Sequence, residues 1–202
     1  LVQGIIAGGE TALITAVEGA EDYPEHGKRD LEQRNLTQHD IVCGIAASGR
    51  TPYVIGALNY AKSIGATTIA VACNVPSPIL DIADIAIGVE VGPEVITGST
   101  RMKSGTAQKM VLNMLTTATM VKLGKVYGNL MVDVKVTNQK LEKRAQGLVM
   151  KVANVDEARA TELLNLSNNE VKTAIIMHKR TVDADTARAL LHDVDGLLGQ
   201  VI

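Results

Sequence analysis

Short apolar runs and longer stretches with helical spacing alternate over the first ninety residues of the chain. The apolar runs are continuous rather than alternating, and they cover residues 1–7, 40–47, 67–73 and 85–89. Runs of this length are typical of strands that are covered on both faces of a parallel sheet. The segment at 52–64, which lies between two of them, has the spacing of a helix. This order predicts an α/β fold, with a four-stranded parallel sheet between helices in three layers.

Helical spacing dominates the second half of the chain. Apolar residues recur with helical spacing over 106–123, which predicts a helix whose inward face carries Met110, Val111, Met114, Leu115, Ala118 and Val121. A longer amphipathic helix is predicted over 127–151. Three short helices should follow at 155–166, 170–179 and 183–191. We therefore predict an α/β domain over 1–152 and a small three-helix C-terminal bundle over 153–202.

Composition excludes several classes of function. The net charge is −2 and basic residues form no run, which argues against a nucleic-acid partner. No apolar run reaches the ~20 residues needed to cross a bilayer, so no membrane association is expected. Cys43 and Cys73 lie in apolar stretches and are predicted to be buried free thiols of a cytoplasmic protein. His178 and His192 have no partners at ligand spacing, so neither a metal nor another cofactor is expected.

Residues 92–113, with the sequence GPEVITGSTRMKSGTAQKMVLN, combine glycines, hydroxyls and cations just before a helix. Arg101 and Lys103 stand where that helix should begin. Because a helix N-terminus already carries partial positive charge, these cations favour a phosphate or carboxylate between them. The alternative, in which the hydroxyls only cap the helix and the cations point to water, stays open. A P-loop is excluded because the glycine that should precede Lys103 is missing.

Two further segments follow predicted strands. Residues 48–52, Ser-Gly-Arg-Thr-Pro, join the strand at 40–47 to a helix, so that the helix N-terminus faces the carboxyl end of the strand. Ligands of open parallel sheets bind at that edge. The acidic cluster at 18–22 follows the first predicted strand and helix. It is either a solvated loop or a source of catalytic carboxylates.

These segments together resemble one enzyme family. Residues 92–113, IAASGRTPYVIGAL at 45–58 and AVEGAED at 16–22 are similar to the N-acetylmuramic acid 6-phosphate etherases, which have a sugar-isomerase (SIS) domain, and to the related glucokinase regulatory protein. The resemblance extends to NLMVDVK at 129–135 and the helical tail. It implies an SIS-type parallel sheet, a phosphosugar substrate and a homodimer. The implied reaction cleaves the D-lactyl ether of N-acetylmuramic acid 6-phosphate, in recycling of cell-wall amino sugars.

The resemblance also implies roles for single residues. Ser48, Gly49 and Thr51 would hold the 6-phosphate, and Arg50 would assist because Ala46 replaces the first serine of the family pattern. The other predicted substrate-binding residues are Glu94, Ser99, Thr100 and Lys103. Glu21 matches the second of the family's two catalytic glutamates. The first would lie upstream of Leu1, so residues 1–202 alone are expected to be inactive.

Two other functions use similar loops. A phosphosugar-binding regulator of the glucokinase-regulator type would bind without turnover, and an aldose–ketose isomerase would act on a related substrate. The intact acidic cluster and the single SIS module with a short helical tail favour the lyase over the regulator. The long signature at 92–113 argues against the isomerase. The lyase is therefore the preferred interpretation.

Overall fold

The computed structural model of the chain describes residues 2–202, and its contacts divide the chain into two compact units at Leu112 and Asn113. The first unit is built around a parallel sheet of strands β1 (Ile41–Ala46), β2 (Thr67–Ala72) and β3 (Ile85–Gly88), in that order. Its helices are α1 (Gly9–Ala12), α2 (Pro24–Glu32), α3 (Pro52–Ser63), α4 (Pro78–Ile82) and the start of α5 (Lys103–Lys122). The predicted α/β class with flanking helices is confirmed.

Alternating side chains of the sheet meet helices on its two faces. Ala46, Ala70 and Ala72 pack against Leu58 of α3 and Ile79 of α4 on one face. On the other face, Cys73 lies just beyond β2, and its thiol donates to the carbonyl of Ser104 in α5 at 3.8 Å. Near the N-terminal end of β2, the fully buried Thr68 donates from its amide and hydroxyl to the Asp84 carboxylate and accepts from the Asp84 amide. These hydrogen bonds join β2 to the turn before β3.

Helices α2 and α3 cross at a very short distance because each carries a glycine at the crossing. A Cβ atom on Gly27 of α2 would lie 2.1 Å from the carbonyl oxygen of Tyr53, and one on Gly56 of α3 would lie 1.9 Å from that of Pro24. Real side chains do not come so close, so both positions need glycine. The Tyr53 hydroxyl also donates to Asp30 of α2 at 2.7 Å. Burial, reinforced by this hydrogen bond, raises the pKa of Tyr53 above its ordinary value.

The second unit is helical. After the rest of α5 comes a hairpin of β4 (Val126–Tyr127) and β5 (Leu130–Met131), which turns at Gly128 with a φ of 56°. The later elements are α6 (Gln139–Val149), a π-helical turn (Met150–Asn154), α7 (Glu157–Leu166), α8 (Val171–Arg180), α9 (Ala184–His192) and a 3-10 turn (Leu198–Gln200). Its core includes Val132, Val149, Leu163, Ile175 and Leu198.

The structure corrects several sequence predictions. Residues 2–7 form no strand, so the sheet of the described residues has three strands and not four, and Leu1 lies outside the described residues. Cys43 is exposed because its face of β1 is only partly covered. The predicted helix over 127–151 is a hairpin followed by α6. Met110 and Met114 of α5 are also exposed, and only Val111 of the predicted inward face is buried.

The contact division differs from the predicted domain boundary at 152/153. Val132, Val134, Ala145 and Leu148 belong to the same core as the helices that follow. The hairpin and α6 therefore pack as part of the second compact unit. The two units are defined by contacts alone, so the predicted domain boundary at 152/153 stays a prediction.

Candidate active site

A cleft of about 730 Å³ opens in the first unit, at the carboxyl ends of β1 and β2. Six of the nine predicted site residues line it: Glu21, Ser48, Arg50, Thr51, Glu94 and Thr100. Gly49, Ser99 and Lys103 belong to the same loops but are not part of the lining. The structure thus brings the acidic loop, the loop after β1 and the loop before α5 to one place.

The loop after β1 has a fixed shape because Gly49 is pressed against α4. Gly49 has a φ of +68°, and a Cβ atom there would lie 2.2 Å from the Ser77 hydroxyl oxygen. The Gly49 amide donates to the Ala46 carbonyl at 3.0 Å, and its own carbonyl accepts from the Ile79 amide at 3.1 Å. Ser48 accepts a hydrogen bond from the Arg50 amide at 3.3 Å. These contacts present Ser48, Arg50 and Thr51 to the cleft, beside the N-terminus of α3.

Glu21 reaches the cleft through a backbone contact to α3. The amide of Tyr53, in the first turn of α3, donates to the carbonyl of Glu21 at 3.0 Å. The chain then enters α2, which crosses α3 at Gly27 and Gly56. The loop that carries Glu21 is therefore anchored to α3 at one point and continues into a tightly packed helix. This arrangement fixes the backbone of Glu21 next to the loop after β1.

Glu94 supplies the anion that the start of α5 favours. Its Oε2 accepts from the Lys103 amide at 3.1 Å and its Oε1 accepts from the Ser104 amide at 3.0 Å. The Ser104 amide, with a smaller contribution from the Lys103 amide, lowers the pKa of Glu94. The sequence predicts a phosphate or a carboxylate at this helix, and the described residues provide a carboxylate from within the chain. The same capping explains why α5 begins at Lys103, three residues before the predicted start.

The cleft also contains polar residues that were not assigned from the sequence as site residues. Asn74, Arg101, Ser104 and Gln108 all line it. Asn74 directly follows β2, so the rule that ligands bind at the carboxyl ends of parallel strands could have identified it. Gln108 lies in the second turn of α5 and inside the signature at 92–113, so its place in that signature could have identified it.

Within residues 2–202, no group of three or more His, Cys, Asp or Glu side chains is arranged to hold a metal ion. None of the described helices combines the length and apolarity that a bilayer crossing requires.

Comparisons with known proteins give the family. Residues 1–62 match the family described as the glucokinase regulatory protein N-terminal SIS domain, and residues 128–190 match the C-terminal lid domain of glucokinase regulatory protein. Over 202 residues the chain is 58% identical to N-acetylmuramic acid 6-phosphate etherase of Vibrio campbellii, covering 100% of this chain and 66% of the relative.

Two further relatives carry the same name. Over 195 residues the chain is 58% identical to N-acetylmuramic acid 6-phosphate etherase 1 of Bacillus licheniformis, covering 96% of this chain and 64% of the relative. It is 52% identical over 202 residues to the enzyme of that name from Rhodopirellula baltica, covering 100% of this chain and 67% of the relative. The chain spans about two thirds of the length of the curated relatives it matches. Identity of this degree over the whole chain confirms the resemblance seen in the sequence: the chain belongs to the N-acetylmuramic acid 6-phosphate etherase family.

Proposed function

We propose that the protein containing this chain is a carbon–oxygen lyase that converts N-acetylmuramic acid 6-phosphate to N-acetylglucosamine 6-phosphate and D-lactate, in recycling of cell-wall amino sugars. The observation that carries the proposal is the cleft, which joins a carboxylate, Glu21, to a hydroxyl-rich loop at a helix N-terminus. The relatives named as etherases favour this function over that of a phosphosugar-binding regulator.

The proposed reaction is an elimination followed by an addition. In the open-chain sugar the aldehyde acidifies the proton on C2, and a base removes it. The C3–O bond then breaks, and an acid protonates the departing lactate oxygen. Water adds its hydroxyl group to C3 and a proton to C2 of the resulting alkene, which restores a saturated sugar. The reaction needs one group that accepts a proton and one that donates it.

Glu21 and Glu94 are the two carboxylates of the described cleft lining, and they differ in their partners. Glu94 accepts from two backbone amides, and its lowered pKa keeps it ionised. A group held in that way is a poor proton donor. We therefore assign one acid/base role to Glu21, and the second to a group outside residues 1–202, as the family resemblance implies.

The loop after β1 is the proposed phosphate site. Ser48 and Thr51 provide hydroxyls, Arg50 provides a cation, and the N-terminus of α3 adds partial positive charge. Glu94, Ser99, Thr100 and Lys103 are proposed for the sugar side of the substrate. Ser99 and Lys103 belong to the loop before α5 but do not line the cleft.

The test of the proposal is D-lactate release from N-acetylmuramic acid 6-phosphate by the full-length natural protein. Glu21→Gln preserves shape and removes the ionisable group, and general acid–base catalysis typically contributes about 10²- to 10⁴-fold, so lactate release should fall by that factor. Glu18→Gln is the matched control, because Glu18 lies on the same loop but not in the cleft lining. Equal rates for wild type and Glu21→Gln would refute the role of Glu21, and no lactate from the wild type would refute the reaction.

We also propose that the protein is a cytoplasmic homodimer. Both cysteines are free thiols, as is usual in a reducing compartment. Met110, Met114 and Val121 recur at helical spacing along α5 with 55%, 60% and 44% of their surface exposed. An exposed apolar stripe of this kind is typical of an interface. Light scattering coupled to gel filtration tests the dimer, and a monomer at micromolar concentration would refute it.

A further inference from the structure

The charges of the cleft are incompletely matched. Two carboxylates, Glu21 and Glu94, and two guanidinium groups, Arg50 and Arg101, line it. Glu94 is already compensated by the amides at the start of α5. No carboxylate oxygen of residues 2–202 lies within ion-pair distance of either arginine. The cleft therefore offers two cations whose charge a ligand can neutralise.

The side chain of Arg101 is only lightly engaged by its neighbours. It is exposed, and among the described residues its side chain makes one hydrogen bond, from Nε to the Ser99 hydroxyl at 3.4 Å. A guanidinium group has five N–H donors in a rigid fork. Two terminal nitrogens thus remain to receive a planar anion, and a carboxylate fits that fork with two parallel hydrogen bonds.

The proposed substrate carries two anionic groups at different ends. Its phosphate is attached to C6 and its carboxylate belongs to the lactyl group on C3. The loop after β1 combines Arg50 with the hydroxyls of Ser48 and Thr51 and the N-terminus of α3, which together suit the phosphate. Arg101 lies on the other loop, before α5, and is left for the second anion.

We propose that Arg101 binds the carboxylate of the lactyl group and thereby selects substrates that carry it, an assignment that rests on the proposed function. The ion pair holds the departing group, so Arg101 is a specificity-determining residue and takes no proton in the reaction. Glu94 does not oppose this pairing strongly, because its charge is directed to the amides of Lys103 and Ser104.

The experiment compares two substrates on the full-length natural protein, N-acetylmuramic acid 6-phosphate and its lactyl methyl ester, which lacks the negative charge. Wild type should prefer the acid over the ester in kcat/KM by about 10- to 100-fold, the lower part of the range for charge pairs because the cleft is open. Arg101→Gln should reduce this preference to near unity, and Arg101→Lys should retain part of it. Arg50→Gln is the matched control and should weaken both substrates by the same factor.

Binding measurements separate this inference from the proposed function. Calorimetric titration with N-acetylmuramic acid 6-phosphate and with N-acetylglucosamine 6-phosphate needs no turnover. Arg101→Gln should weaken binding of the first and leave binding of the second unchanged, which also shows that the variant is folded. If Arg101→Gln keeps the wild-type preference for the acid, or weakens both phosphosugars equally, the assignment is overturned. A wild type that binds both sugars but releases no lactate would refute the reaction alone.

Discussion

The glycine pair at the crossing of α2 and α3 permits a sharp test of how the site is held. Gly56→Ala places a Cβ atom 1.9 Å from the Pro24 carbonyl oxygen, where contacts below 3.0 Å do not normally occur. The helices must separate by about 1 Å, and because backbone opposes backbone, no side chain can rotate away. We expect this movement to disturb the Tyr53–Asp30 hydrogen bond and the loop that carries Glu21.

The expected magnitude follows from two opposing effects. Overpacking of this severity costs about 3 kcal/mol, the upper end of the usual range, and alanine in a helix returns up to about 1 kcal/mol relative to glycine. The net loss in the free energy of unfolding is about 2 to 3 kcal/mol. For a chain of this length that corresponds to a fall in Tm of about 5 to 10 °C.

Thermal unfolding followed by circular dichroism measures this loss, and Gly147→Ala provides the control. Gly147 also lies inside a helix, α6, but nothing stands within 4 Å of the position of its Cβ atom. The same substitution there should stabilise the protein by about 0.5 to 1 kcal/mol. In the full-length natural protein, lactate release should slow in Gly56→Ala and stay at the wild-type rate in Gly147→Ala. If Gly56→Ala melts at or above the wild-type temperature, the close crossing does not constrain the fold and the reasoning fails.

Three further predictions concern other parts of the chain. Glu94→Gln should melt at a lower temperature than wild type at neutral pH. Because folding lowers the pKa of Glu94, this difference in Tm is present above the ordinary pKa of the carboxyl group and should vanish as the pH falls through the folded pKa. A difference in Tm that does not depend on pH would contradict the capping role. Gly49→Ala should reduce the phosphosugar affinity measured by calorimetry at least about tenfold, because the new Cβ atom would clash with Ser77 and residue 49 has a positive φ. Unchanged affinity would exclude this loop as the phosphate site. Lys172→Met should lower the free energy of unfolding, measured by denaturant titration, by about 2 kcal/mol, because the carbonyls of Gly124 and Gly196 lose their hydrogen-bond donor. A loss below about 0.5 kcal/mol, as for a surface substitution, would contradict this prediction.

Continuous apolar runs located the sheet well. The predicted strands at 40–47, 67–73 and 85–89 each contain the observed strand with at most one extra residue at either end. Residues 2–7 are equally apolar but form no ladder, because pairing requires a neighbouring strand and apolar character alone does not supply one. The short hairpin before α6 is hidden in the sequence by the helical spacing around it, although Gly128 and Asn129 form a two-residue turn signal.

The loops of the site could be identified from the sequence, but their internal partners could not. Ser48, Thr51 and Glu21 were selected by position and resemblance, and the structure places all three in one cleft. For the start of α5, the sequence predicts an anion without identifying it. The structure shows that the anion is Glu94, which lies nine and ten residues before the two amides that donate to it. This pairing depends on how the intervening loop folds. Spacing along the chain does not determine such a closure.

The capping of α5 by Glu94 affects the entropy of ligand binding. Because the carboxylate is tethered to the same chain, its local concentration at the helix does not depend on buffer ions or substrate. The hydrogen bonds from Lys103 and Ser104 to Glu94 therefore close the segment between them into a loop before any ligand binds. The conformational entropy of closing that loop is lost during folding, so association with a sugar phosphate does not have to overcome it. A preorganised loop of this kind should bind with a small entropic penalty and little change in its own mobility.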